Sequence, residues 1–122
     1  MDDWTELEKM CNNCTLCDLH KAKTNMVFGQ GDIHTDLMFI GEAPGEQEDL
    51  SGIPFVGKSG QLFNKILTSV DISREEIYIA NIIKCRPPQN RNPLDIEKIS
   101  CLPFLRNQVK LIHPKILVCL GR

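Results

Sequence analysis

The chain has 122 residues, of which 42% are hydrophobic and 25% charged, and its net charge at pH 7 is −2. This length supports one domain with a single core, and the total charge alone implies no polyanionic partner. No apolar run approaches the length of a membrane span, so we expect no membrane partner. The charge is unevenly distributed, since residues 1–50 carry 11 acidic and 3 basic side chains, whereas residues 51–122 carry 5 acidic and 11 basic ones. The second half is therefore the part suited to face phosphates, although a charged surface that is merely solvated fits the same pattern.

Segments with helix and strand patterns alternate along the chain. In order, they predict a helix over 4–12, a strand over 36–41, a loop over 42–54, a helix over 60–70, a strand over 77–83, a basic loop over 84–93, a helix over 94–112 and a strand over 116–121. Short connections between such segments favour parallel strands and right-handed crossovers. We therefore expect one α/β domain over residues 1–122 that is built on a parallel sheet.

Four cysteines have the arrangement of a metal site. Cys14 and Cys17 form a C-x-x-C pair, and Cys85 and Cys101 come singly from distant segments. Four thiolates suit either zinc or an iron–sulfur cluster, and the spacing alone does not separate the two. Three disulfides among the six cysteines are the alternative. The acidic, amphipathic N-terminal segment does not resemble a secretory signal, so we favour metal-bound thiolates in a reducing cytoplasm.

Polar side chains follow the ends of the first two predicted strands, where parallel sheets bind their ligands. They are Glu42, Glu48, Asp49, Asn81 and Asn90. A carboxylate at this edge can orient water, and a carboxamide can recognise the donor and acceptor groups of a base. Phe55 lies in a loop without periodic pattern, and it could stack on a planar ligand. A structural role fits each residue equally well, as a strand-end cap at Asn81 or a core side chain at Phe55.

Six segments together carry a resemblance to a known family. They are Cys14-Thr-Leu-Cys17, Val27-Phe-Gly-Gln-Gly31, Gly41-Glu-Ala-Pro-Gly-Glu-Gln-Glu-Asp49, Gly52-Ile-Pro-Phe-Val-Gly57, Asn81-Ile-Ile-Lys-Cys-Arg-Pro-Pro-Gln-Asn-Arg91 and Cys101. In length, order and spacing they resemble the family 4 uracil-DNA glycosylases, the iron–sulfur branch of that superfamily. The resemblance spans nearly the whole chain. It implies the three-layer uracil-DNA glycosylase-like fold with a parallel sheet, of which three of about four strands are present.

The resemblance also implies a cofactor. It is a four-iron, four-sulfur (4Fe–4S) cluster that fixes the N-terminal helix to the core, with the ligands Cys14, Cys17, Cys85 and Cys101. In this family the cluster lies away from the reacting base, so we interpret it as structural, ordering the loop over residues 84–91. Cys11 repeats the C-x-x-C spacing before Cys14, which makes a ligand exchange conceivable. We expect Cys119 to be an apolar side chain in a buried strand.

The activity implied by the resemblance is hydrolysis of the N-glycosidic bond of uracil in DNA, after the base is flipped out of the helix. Phe55 would stack on the base, and Asn81 would recognise the uracil edge and reject cytosine. Glu42 would position water, and Glu48 and Asn90 would form a polar pair beside the site. Backbone amides of the loop that contains Ala43 and Gly45 would hold the ring. The predicted contacts to the DNA backbone are Lys58, Lys84, Arg86 and Arg91.

One motif of the family has no counterpart here. Family members continue past the third strand to a fourth, which ends in a His-Pro-Ser type motif whose histidine stabilises the departing uracil anion. This chain ends at Arg122, and none of its three histidines follows such a strand. We therefore expect a monomeric domain that is truncated at its carboxyl end, with a third strand exposed to water or to a partner.

Two other interpretations stay open at this point. The first is a non-catalytic iron–sulfur module that binds uracil or DNA without cleaving it, as the missing histidine motif would allow. The second combines a phosphate-binding loop at Glu42 with a zinc site, but the loop lacks the glycine spacing of known nucleotide-binding loops.

Overall fold

One four-stranded sheet forms the centre of the molecule. The computed structural model describes residues 3–14, 19 and 23–120, and within them the strands are β1 (Gln30–Gly31), β2 (Leu37–Gly41), β3 (Tyr78–Asn81) and β4 (Ile116–Cys119). Their spatial order is β1-β3-β2-β4. The strand β2 pairs in parallel with β3 and β4, whereas β1 pairs antiparallel with β3. The predicted parallel sheet is thus confirmed for three strands, but the antiparallel edge strand β1 was not predicted.

Helices connect these strands and cover the sheet. They are α1 (Asp3–Asn12), α2 (Glu46–Ser51), α3 (Lys58–Ser69) and α4 (Asp95–Ile112), and short 3₁₀ turns occupy Arg74–Glu76 and Pro88–Asn90. The helix α2 lies inside the segment predicted as a loop, so the prediction for residues 42–54 is wrong there. Gly45 precedes this helix, and Gly52 follows it with a φ of 75°. This left-handed conformation commonly ends helices, and it favours glycine.

The sheet lies between two helical layers because successive strand residues point to opposite faces. On one face, buried strand residues pack with residues of α4 in the group Met38, Ile40, Tyr78, Ala80, Leu105 and Ile112. On the other face, strand residues and their neighbours pack with residues of α3 in the group Phe39, Phe63, Leu67, Ile77 and Ile79. The three layers expected for the fold are therefore present.

The helix α1 packs against α4 beside the sheet. The Trp4 ring contacts the rings of Phe28 and Tyr78 edge-on, with both centroid distances 5.3 Å. Leu7 and Cys11 lie on the buried side of α1. They belong to a core group whose other members are Leu19, Phe28, Ile83, Cys85, Cys101 and Phe104. The N-terminal helix therefore lies next to two of the predicted metal ligands.

The strand β4 is an exposed edge of the sheet. Ile116 and Leu117 are 58% and 47% exposed, and Cys119 is exposed as well. The expectation that Cys119 is a buried apolar side chain is therefore wrong, because among the described residues β4 pairs with β2 and with no strand on its other side. No helix among the described residues has the length and apolar character needed to cross a membrane.

A buried carboxylate fixes the start of α4. Glu97 is 4% exposed, and its two oxygens accept hydrogen bonds from Nη1 and Nη2 of Arg91, both at 2.8 Å. Oε1 also accepts from the backbone N–H of Leu94 at 2.8 Å. The Arg91 hydrogen bonds outweigh the effect of burial and lower the pKa of the Glu97 carboxyl below its ordinary value.

We predict that Glu97→Gln destabilises the protein in a pH-dependent manner. Because the folded-state pKa of Glu97 is lowered, its ionised form stabilises the fold above the ordinary value of 4.5, and this contribution is lost as the pH falls below it. The urea midpoint of the variant should therefore lie below that of the wild type at pH 7, and the difference should shrink towards pH 3. Glu46→Gln is the matched control, since Glu46 is an exposed first-turn glutamate of α2. A difference that does not depend on pH would contradict the prediction.

Candidate active site

A cavity of about 510 Å³ opens at the carboxyl ends of β2 and β3. Its wall combines the loop after β2, the first half of α3 and the end of β3. The predicted site residues that line it are Glu42, Ala43, Gly45, Glu48, Phe55, Asn81 and Arg91. The structure therefore brings residues from four separate stretches of the chain together at the strand ends, and their roles stay predictions.

Asn81 supplies an unsatisfied hydrogen-bond acceptor in this wall. It ends β3, it is 2% exposed, and its Oδ1 accepts no hydrogen bond from the residues that the structure describes. Leaving such a buried atom without a partner costs about 1–3 kcal/mol, so an unsatisfied group calls for an explanation. A ligand N–H group placed in the cavity would provide the missing donor.

Gly41 allows Asn81 and Phe55 to come together. Gly41 ends β2 and is paired in register with Asn81. A β-carbon at Gly41 would overlap both the Asn81 Oδ1 atom and the Phe55 ring. The absence of a side chain at Gly41 therefore brings a carboxamide and an aromatic ring to the same point of the cavity.

The Phe55 ring continues an aromatic row from the core. Its centroid lies 5.7 Å from that of Phe63, which in turn lies 4.9 Å from that of Phe39 in an edge-on contact. The backbone of Phe55 has a φ of 54°, which is disfavoured for a bulky side chain and costs of order 1–3 kcal/mol. Phe55 thus keeps a strained conformation at the cavity wall because its surroundings enforce it.

Glu48 accepts hydrogen bonds from backbone N–H groups at the start of α2 and directly after Phe55. Its Oε1 accepts from the Gly45 N–H at 2.8 Å, and its Oε2 accepts from the N–H groups of Val56 and Gly57 at 2.9 and 2.8 Å. Although burial alone would raise the pKa of this carboxyl, these three backbone donors and the N–H of Glu48 itself together lower it. These bonds favour a positioning role, and the predicted catalytic role of Glu48 stays a prediction. The Gly45 N–H donates to Glu48 in this structure, and the predicted contact of the Glu42–Gly45 loop amides with the base stays a prediction.

The proposed partner of Glu48 is only partly described. Asn90 ends the 3₁₀ turn Pro88–Asn90, and its side chain lies outside the described part of the structure. The predicted pairing of Glu48 with Asn90 therefore stays a prediction.

Arg74 is a residue outside the cavity wall that binds the backbone of the Phe55 turn, and sequence reasoning missed it. Its guanidinium donates to the carbonyl oxygens of Pro54 and Phe55, the latter at 2.7 Å from Nη1. It also donates to Asn64 Oδ1 at 3.0 Å and Gln30 Oε1 at 3.2 Å. Arg74 lies in a polar turn of the kind found on any protein surface, so no local signal separates it from a solvated arginine.

The four predicted DNA-backbone cations differ in their surroundings. Lys58 is exposed at the start of α3, Arg86 is half-buried, and Arg91 lines the cavity while it is bound to Glu97. Phosphate contacts by these three residues stay predictions.

The prediction for Lys84 is wrong, because this side chain lies inside the core. It is 1% exposed, and its Nζ donates to the carbonyl oxygens of Phe28 and Asn81 and to Gln108 Oε1, at 3.2, 2.7 and 2.6 Å. Burial lowers the pKa of Lys84 to about 8. A phosphate outside the protein cannot reach this ammonium group.

Three of the predicted ligand thiols line one small cavity. Cys14, Cys85 and Cys101 do so together with Cys11, while Cys17 lies outside the described residues. Without Cys17, no three His, Cys, Asp or Glu side chains of the described part are arranged as a metal site. Burial raises the pKa of the Cys11 thiol to about 12, so that a proton is retained at neutral pH.

The surroundings of this second cavity fit a thiolate-bound centre. Lys84 also lines the cavity, and its backbone N–H donates to Cys101 Sγ at 3.2 Å. The three acceptors of its buried ammonium group, given above, are all uncharged. A buried cation of this kind is stabilised by a nearby negative charge, which a centre with four thiolates would supply.

Comparison with known proteins identifies the family. The family model described as the uracil DNA glycosylase superfamily matches residues 28–122. The chain is 45% identical over its whole length to the type-4 uracil-DNA glycosylase of Archaeoglobus fulgidus, 47% identical over 88% of its length to that of Thermotoga maritima, and 42% identical over its whole length to that of Saccharolobus solfataricus. It spans 61%, 56% and 57% of the lengths of these relatives. The resemblance to the type-4 branch is confirmed, and the chain belongs to the uracil DNA glycosylase superfamily.

Proposed function

We propose that this chain excises uracil from DNA by hydrolysing the N-glycosidic bond. The observation that carries the proposal is the buried Oδ1 atom of Asn81, which lies beside the Phe55 ring and has no donor among the residues that the structure describes. Uracil presents an N3–H donor between two carbonyl groups, whereas neutral cytosine has a lone pair at N3. Asn81 Oδ1 would accept from uracil and would face a second acceptor in cytosine, which disfavours cytosine.

The target base has to leave the DNA helix before it reaches this cavity. Flipping costs a few kcal/mol, and stacking on an aromatic ring returns about 1–3 kcal/mol per base. Phe55 would provide that ring, and the apolar α3 residues Leu62 and Ile66 that line the same cavity would exclude water. Basic residues are concentrated in the second half of the sequence, and Lys58 and Arg86 from this half are proposed to contact the phosphates.

Hydrolysis breaks the bond between C1′ and N1, and the electron pair stays on the uracil ring. The water oxygen then bonds to C1′, and its proton passes to a base or to solvent. Glu42 lines the cavity and is half-buried at the end of β2, so its carboxylate is the proposed group that positions this water. The sugar becomes cationic in the transition state, and a fixed carboxylate would stabilise that charge.

We further propose that Cys14, Cys17, Cys85 and Cys101 hold a 4Fe–4S cluster. When bound, the cluster supplies covalent links between the N-terminal segment and the loop after β3. The chain itself contributes the Lys84 cation beside the thiolates and the Lys84 N–H bond to Cys101 Sγ. Thiolate ligation is consistent with a reducing compartment such as the cytoplasm.

We predict that the purified protein releases uracil from an oligonucleotide containing one uracil, and that Asn81→Ala abolishes this activity. The reason is that the variant loses the acceptor for uracil N3–H. Asn107→Ala is the matched control, because Asn107 is exposed on α4 and bonds only within that helix among the described contacts. Abasic sites are measured by alkaline cleavage and gel electrophoresis. Tight binding of the uracil oligonucleotide with no abasic product would instead support the non-catalytic module.

We predict that Glu42→Gln lowers kcat by about 10²-fold and changes KM little. Glutamine keeps the size of the side chain but cannot accept the proton of water, and general bases of this kind contribute about 10²–10⁴-fold. Single-turnover excision under saturating enzyme measures the change. Glu46→Gln should be indistinguishable from the wild type, since Glu46 is exposed on α2. An equal loss in both variants would remove Glu42 from the mechanism.

We predict that anaerobically purified protein is brown and contains iron and acid-labile sulfide. Cys101→Ala should lose most of this iron and sulfide, because one of the four proposed ligands is removed. Cys119→Ala should retain them, since Cys119 is exposed on β4. A colourless protein that contains zinc would contradict the cluster and favour a four-thiolate zinc site.

A further inference from the structure

We propose that Arg74 is the positioning residue that fixes the Phe55 ring for base stacking. This inference rests on the proposed function, in which Phe55 contacts the flipped uracil. Arg74 donates to the carbonyl oxygens of Pro54 and Phe55, the two residues at which the chain enters its left-handed turn. The guanidinium therefore binds the backbone of the stacking residue and leaves its ring unobstructed.

Contacts on the other side of Phe55 complete the restraint. Glu48 accepts hydrogen bonds from Val56 and Gly57, the next two residues along the chain. A β-carbon at Gly60 would overlap the Phe55 carbonyl group, so α3 packs directly against this peptide. Three contacts thus enforce the strained φ of Phe55. The Arg74 guanidinium binds the carbonyl groups of Pro54 and Phe55, the Glu48 carboxylate binds the N–H groups that follow, and α3 packs against the same peptide.

The geometry requires arginine at position 74. Four different oxygens accept hydrogen bonds from the guanidinium, on Pro54, Phe55, Asn64 and Gln30. These acceptors come from three segments, the Pro54–Phe55 turn, α3 and β1, and a planar fork with five donors can bind all of them at once. A lysine ammonium group has three donors on one atom, so it could neutralise the same site without fixing the same directions.

The test is a double-mutant cycle on uracil excision with Arg74→Met and Phe55→Ala. If Arg74 acts through Phe55, Arg74→Met alone lowers kcat/KM by about 10²-fold, the loss expected for a misplaced contact group. In the Phe55→Ala background the same substitution should cost less than threefold, since the group that it positions is gone. Arg74→Lys should be intermediate, and Arg106→Met should match the wild type because Arg106 is exposed on α4.

Fully additive losses in the cycle would overturn the proposal, because they would show a general effect on the fold. Urea midpoints of the four proteins provide the correction for lost stability. A second readout does not depend on catalysis: the backbone amide resonances of Val56, Gly57 and Gly60 should shift in Arg74→Met and not in Arg106→Met. If the wild type fails to release uracil, the proposed function fails, and these resonances still decide the Arg74 contact. Unshifted resonances in Arg74→Met would overturn the proposal that Arg74 positions Phe55.

Discussion

One buried lysine, Lys84, contacts both of the cavities described above. Lys84 Nζ donates to the carbonyl oxygen of Asn81, at the end of the strand that carries the unsatisfied carboxamide. The backbone N–H of the same residue donates to Cys101 Sγ in the cysteine cavity. A buried charge is stable only where its hydrogen bonds and its counter-charge are both in place. Lys84 therefore links the backbone at the end of β3 to the cysteine cavity through these two hydrogen bonds.

Lys84 also shows why part of the structure could not be predicted from the sequence. A lysine in a basic loop is normally a solvated residue, and only the long-range acceptors on Phe28 and Gln108 explain its burial. Arg74 escaped prediction for the same reason, since its acceptors are 19 and 20 residues away in the chain for Phe55 and Pro54. The three longer strands were predictable because their apolar runs are local signals. The helix α2 was not, because six residues between glycines have too few turns for a periodic pattern.

The candidate site was predicted better than its supporting contacts. Glu42 and Asn81 follow strands, and the topology of a parallel sheet brings such ends together whatever the intervening sequence. The role of Glu48 could not be obtained in this way, because it depends on the φ and ψ angles of residues 52–57, which direct the Val56 and Gly57 amides towards one carboxylate. Sequence reasoning therefore identified several of the residues that line the cavity, while the structure shows that Glu48 binds backbone N–H groups and that Asn81 Oδ1 accepts no hydrogen bond from the described residues.

The residues that bind backbone groups have a physical consequence for the proposed reaction. Glu48 and Arg74 bind backbone groups around Phe55, which has a left-handed conformation that is disfavoured for a bulky side chain. Gly41 lets that ring lie against Asn81, whose Oδ1 forgoes a hydrogen bond in the described structure. The free-energy costs of backbone strain at Phe55 and of desolvation at Asn81 both arise when the chain folds. The binding of a base therefore does not have to supply either of them. Among the described residues, Asn81 Oδ1 is a buried acceptor without a donor, which a base with a protonated N3 would supply and a base with a lone pair at N3 would not. Preorganisation of the backbone is therefore the feature on which discrimination between uracil and cytosine would depend.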